Sequence, residues 1–150
     1  MKNYFLAAIF LTIMGFASCI KPPEYPIEPR IEFVSVTKTN FNEITNDVSF
    51  TVTIYFEDGD GDLGGTIDDS VNLFWEDSRV PGVQSPFKIP FIELQGNHKA
   101  ISGNIYATKT TGCINPGVET DSFTYKIHII DRAGHESNII ELPAMTVVCD

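Results

Sequence analysis

The chain has 150 residues, with 20 acidic and 10 basic side chains and a formal net charge of −10. Such a balance argues against a nucleic-acid partner, whose phosphates demand basic patches, and against electrostatic adhesion to anionic lipid. With 43% hydrophobic and 11% aromatic residues, the composition supports one packed domain rather than a disordered acidic tail.

Residues 1–18 read as an export signal. Lys2 supplies a positive start, residues 4–17 run apolar with Thr12 as the one interruption, and Phe16-Ala17-Ser18-Cys19 closes the run with small residues. A membrane-spanning helix needs about 20 apolar residues, and this run is shorter. The cysteine directly after Ala-Ser resembles the lipobox of bacterial lipoproteins, with Phe16 where that box usually has Leu. The resemblance implies that Cys19 is acylated, becomes the new N-terminus and holds the chain to the bacterial cell envelope. The outer membrane is the expected site, with its periplasmic and surface faces both open. An ordinary signal peptide that happens to precede a Cys is the alternative. Residues 19–30 follow as a lipidated, Pro-rich tether: Pro22, Pro23, Pro26 and Pro29 fix φ and disfavour helix and central strand.

Beyond the tether the hydrophobic period is two. Ile31 to Thr37 is a weak strand candidate, whereas Val48, Phe50, Val52, Ile54 and Phe56 alternate with polar residues as a strand with one buried face does. Then comes Glu57-Asp58-Gly59-Asp60-Gly61-Asp62-Leu63-Gly64-Gly65, followed by Asp68-Asp69. Between Lys38 and Arg79 there are ten acids and no base. Close carboxylates are relieved by water, by raised pKa values or by a cation. Asp-x-Asp-x-Asp resembles the opening of calcium loops, in which alternate carboxylates curl round a hard ion that takes six to eight oxygens. An EF-hand is excluded, because Leu63 stands where the loop needs Gly and Asp69 where it needs Glu. The phrase from Phe56 to Gly64 looks instead like a strand-end motif of small lipoproteins of Bacteroidetes-type bacteria. The metal candidates are Asp58, Asp60, Asp62 and Asp69, with calcium preferred over magnesium, and a solvated acidic turn is the alternative.

Further along, Val71, Leu73 and Trp75, then Phe87, Ile89 and Phe91, and most clearly Phe123, Tyr125, Ile127 and Ile129 repeat the alternation. Ile101 to Thr108 and Ser137 to Leu142 are weaker strands, and no amphipathic helix stands out. About seven strands at turn-rich spacing predict an all-β chain, a single antiparallel β-sandwich over residues 31–150. Asp131, Ala133, Gly134 and Ser137, after an aromatic strand, resemble the closing turn of immunoglobulin-like and fibronectin type III-like modules of bacterial surface proteins. That topology implies that Asp131 joins Asp58, Asp60 and Asp62 at one end of the domain, while Cys113 and Cys149 meet at the other. In an exported chain with Cys19 spent on lipid, pairing of Cys113 with Cys149 is the default, against two free thiols. Neither has the spacing of a zinc site.

No nucleophile–base pattern is present: Ser102, Lys109 and Thr110 form no motif, His98 and His135 fall in turns, and His128 points outward from its strand. The chain therefore reads as a non-enzymatic binding or structural module with an envelope protein or a glycan as partner. A carbohydrate-binding lipoprotein is the alternative, and it requires Tyr55, Phe74 and Tyr106 to share one platform.

Overall fold

The computed structural model describes residues 24–65, 71–94 and 99–149. The expected export signal, Cys19, the first part of the Pro-rich segment, Asp68, Asp69 and His98 lie outside them. The described residues form ten strands and no helix: β1 (Arg30–Val36), β2 (Asn40–Asn42), β3 (Ser49–Asp58), β4 (Leu73–Asp77), β5 (Gln84–Phe87), β6 (Ile101–Thr110), β7 (Thr120–Phe123), β8 (Tyr125–Ile129), β9 (Ile140–Glu141) and β10 (Met145–Val148). They make three sheets, in the orders β1-β3-β6, β5-β4-β8-β9 and β2-β10-β7. All pairs are antiparallel except β2 with β10, which is parallel.

Period-two patterning explains the main strands. Along β3 the side chains alternate between buried and half-exposed, and Phe50, Val52, Ile54 and Phe56 enter the core, as do Leu73 and Trp75 from β4 and Tyr125, Ile127 and Ile129 from β8. Burying each large side chain contributes roughly 1.5–3 kcal/mol. The three sheets meet at Phe50: its ring centroid lies 5.2 Å from Phe41 of β2, 6.2 Å from Trp75 of β4 and 5.9 Å from Tyr125 of β8.

Three local expectations are corrected. The strand expected through Phe87, Ile89 and Phe91 stops at Phe87, and Phe91 is exposed. Asn72 displaces it: its buried side chain accepts a hydrogen bond from Ile89 N–H at 2.6 Å and donates one to Ile89 C=O at 3.2 Å, so a side chain replaces the neighbouring strand. The Ser137–Leu142 strand shrinks to β9, because the Asn138 amide bonds both backbone groups of Ile31, each at 2.9 Å. The long aromatic strand breaks at Thr124 into β7 and β8, which belong to different sheets. The prolines fit their constraint: Pro86 lies in edge strand β5, and Pro143 falls between β9 and β10.

Cys113 and Cys149 are disulfide-bonded, with Cα atoms 5.8 Å apart and a sequence separation of 36. Closing a loop of that length stabilises by about 3–4 kcal/mol in the chain-entropy model. Beside the disulfide, the side chains of Arg79 and Asp121 are buried together with an N–O separation of 3.0 Å. Arg79 also holds both oxygens of Asp77, at 3.0 and 2.7 Å, and the C=O of Gly112 at 2.8 Å, and its guanidinium lies 3.8 Å from the Phe123 ring centroid. Asp121 accepts from Ile114 N–H at 3.1 Å and from the Asn115 amide at 2.7 Å.

Burial alone would raise the Asp121 pKa, but the Ile114 and Asn115 donors and Arg79 reverse that and bring it down to about 2. A depressed carboxylate contributes stability above its ordinary pKa and loses it as pH falls through the folded value. Thermal melts between pH 5 and pH 2 should therefore fall more steeply for the unaltered protein than for Asp121→Asn. Parallel acid limbs would show that the Asp121 charge carries no stability.

Candidate metal centre

The alternation that drives Phe50 to Phe56 inward continues one step further, so β3 ends by delivering Asp58 into the core, where it is fully buried. Asp58 Oδ2 accepts a hydrogen bond from Leu63 N–H at 2.8 Å. Its Oδ1 is buried with no hydrogen-bond partner among the described residues, and so are Oδ1 of Asp60 and Oδ1 of Asp62. Leu63, at the position that rules out an EF-hand, is itself fully buried and plugs the loop into the core.

Asp131, two residues after the end of β8, completes the cluster. One carboxylate oxygen from each of Asp58, Asp60, Asp62 and Asp131 lies within 4.8 Å of the other three. Asp131 is braced by His135, whose N–H donates to Oδ1 and whose Nδ1 contacts Oδ2, each at 2.8 Å. Arg132 ties the two segments together through backbone: its N–H donates to Asp62 C=O at 3.3 Å, and its guanidinium reaches the C=O groups of Gly61 and Gly64, each at 3.4 Å. The nearest guanidinium is thus spent on carbonyls, and no Lys or Arg pairs with Asp58, Asp60 or Asp62 among the described residues.

Burial pushes the Asp58 carboxyl up to about 6, opposed by the Leu63 N–H and reinforced by Asp60 and Asp62. Asp62 is raised by burial and by the charges of Asp131 and Asp60, which the Ala133 N–H and Arg132 offset only in part. His135 is raised by its bond to Asp131. Four acids converging on one point, three of them with an unpaired buried oxygen, form a donor set suited to a hard cation.

Two glycines permit this geometry. Gly61 adopts φ +71°, which favours glycine. Gly59 lies where a Cβ would collide with the carbonyls of Tyr25 and Pro26, and its N–H donates to Pro26 C=O at 2.8 Å. The end of the tether therefore packs directly on the acidic loop, with Tyr25 O–H donating to Ser102 Oγ at 3.4 Å.

Of the candidate ligands, the structure unites Asp58, Asp60, Asp62 and Asp131, and Asp69 lies outside the described residues. The disulfide stands at the other end, since β3 runs from Ser49, opposite Thr110, to Asp58, opposite Ile101. His128 is less open than its outward position implies, with a side chain only 12% exposed that stacks on Phe74 at 5.1 Å. Tyr55 and Tyr106 sit on β3 and β6, whereas Phe74 faces outward from β4 in another sheet, so the three do not share a platform. The Arg79–Asp121 pair escaped the sequence reading; its one signal is Arg79 itself, the lone base after a long acidic stretch.

Removing one of the repelling charges should affect the metal-free and metal-bound states in opposite directions. Asp58→Asn should raise the melting temperature in chelator and abolish any rise on adding millimolar calcium. A variant that melts below the unaltered protein in chelator would mean that the cluster is not strained by its own charge.

No protein-family model, curated protein or solved structure matches the chain, so its functional reading rests on the chemistry of this cluster.

Proposed function

We propose that this chain is a calcium-stabilised, lipid-anchored binding or structural module of the bacterial cell envelope, with its ion held by Asp58, Asp60, Asp62 and Asp131. The observation that carries the metal reading is the convergence of four carboxylates with buried, unpaired oxygens on Asp58, Asp60 and Asp62. Calcium suits such a site better than magnesium, because it accepts many protein oxygens in flexible geometry whereas magnesium keeps its waters. Loop carbonyls not held by Arg132, and Asp69, are candidates for the remaining positions.

The architecture is read as a single antiparallel β-sandwich of the immunoglobulin-like or fibronectin type III-like kind. Support comes from the β1-β3-β6 and β5-β4-β8-β9 sheets, whose inward faces share one core, and from Trp75 at its centre. The anchoring part rests on the sequence before Cys19 and on the Pro-rich tether. Fold alone assigns no chemistry. A binding or structural role follows instead from charges gathered for one ion rather than set as an acid and a base across a cleft.

The unaltered chain should melt higher with calcium than with chelator, by about 2.7 kcal/mol when free calcium exceeds Kd a hundredfold. Magnesium should do much less. Equal midpoints in calcium and chelator, with no heat of binding by titration calorimetry, would reduce the loop to an acidic turn. For the anchor, Cys19→Ala should move the chain out of the detergent fraction, since acyl chains contribute about 0.8 kcal/mol per buried CH₂. An unchanged membrane fraction would sink the lipoprotein reading.

A further inference from the structure

β6 is a ten-residue strand whose sole ladder partner among the described residues is β3. On its other side, alternate backbone N–H and C=O groups have no strand among the described residues to bond. Such an edge is a template for another extended chain unless something blocks it.

Two cavities lie along this open edge, in the cleft between β6 and the β5 segment. One, of about 260 Å³, is almost wholly apolar and is lined by Phe87, Ile89, Ile92 and Ile105. The other, of about 270 Å³, is lined by Asp77, Arg79, Lys109, Thr111 and Tyr125, with Val80, Val83 and Ile114 exposed at its rim. Ile105 and Lys109 are both odd-numbered positions of β6, so both face inward. They stand four positions apart, about 13 Å along a strand.

Lys109 is an unusual occupant of a core-facing position. Its Nζ lies over the rings of Trp75 and Tyr125, 5.6 and 5.5 Å from their centroids. No carboxylate lies in ion-pair range of it among the described residues; Asp77, bonded to Arg79, acts on it only through space. Desolvation lowers its pKa and the Asp77 charge offsets that only in part, a cost that a partner carboxylate would offset further.

We propose that the outer edge of β6 receives an extended peptide strand from another protein, carrying an apolar and an acidic side chain four residues apart. Backbone hydrogen bonds to β6 supply affinity, and the two cavities read the side chains, one taking the apolar group and Lys109 pairing with the carboxylate. The partner is not a second copy pairing β6 to β6, because β6 contains no acid to meet Lys109.

The test uses the full-length chain and end-capped nonapeptides of alternating Thr and Val. The probe carries Leu and Glu four residues apart on one face. One control has Lys in place of Glu, and a second narrows the spacing to three, which puts the pair on opposite faces. By fluorescence anisotropy the probe should bind at least tenfold more tightly than either control, and Lys109→Glu should reverse the preference between the Glu and Lys peptides. Amide hydrogen exchange on the unaltered protein should slow along β6 when the probe is added, a readout that needs no folded variant. Equal binding of all three peptides, or no slowing along β6, overturns the proposal and leaves Lys109 as an inward charge that keeps the edge from pairing.

Discussion

The arrangement of all three sheets depends on the aromatic contacts of Phe50, which Tyr125 of β8 reinforces by touching both Phe50 and Phe123. Phe50 sits on β3, the central strand of its own sheet, and touches an aromatic ring from each of the other two. Aromatic pairs in tilted or edge-on geometry contribute about 0.5–1.5 kcal/mol beyond the area they bury. Two such contacts on one ring, with a third, stacked contact to Tyr125, also fix the angles at which the sheets meet. Moving Phe50 would misplace both neighbours of β3, and with them the positions of Asp58 at one end and Lys109 at the edge.

The two ends of this core resolve buried charge in opposite ways. At the disulfide end, Arg79 and Asp121 are taken out of water together, and every oxygen of Asp121 has a donor. Breaking such a pair is strongly unfavourable because the surviving charge has nowhere to go. At the other end, three buried carboxylate oxygens have no donor, and the local arginine is turned towards carbonyls. A native fold rarely leaves buried acceptors orphaned without a reason. The four carboxylates that meet there could hold a metal ion.

The parts of the structure legible in the sequence are those where one sheet face is buried over several residues, as in β3, β4 and β8, since alternation is then forced on the chain. The acidic cluster was legible for a related reason: carboxylates spaced two apart on a glycine-rich loop cannot avoid one another. What escaped was structure made by side chains acting as strands. Asn72 and Asn138 each bond a backbone segment as a neighbouring strand would, and an amide that does this leaves no periodic trace. β2 and β10 were missed because three or four residues with one or two inward side chains carry too short a pattern to register. Arg79–Asp121 joins residues 42 apart, and nothing local marks such a pairing.

The contact between Gly59 and Pro26 has a mechanical consequence. The tether meets the domain at the acidic end, where Arg30 opens β1 opposite Glu57 of β3, and β1 then runs towards the disulfide end to Val36, opposite Val52. Tension applied at the N-terminus first strains the tether's seat on the acidic loop and then pulls β1 along its own axis. The six residue pairs of the β1–β3 ladder are thereby loaded together in shear instead of being unzipped one by one. A chain pulled from this end yields late and all at once, and the loop that gathers the carboxylates is the first part of the domain to feel the load.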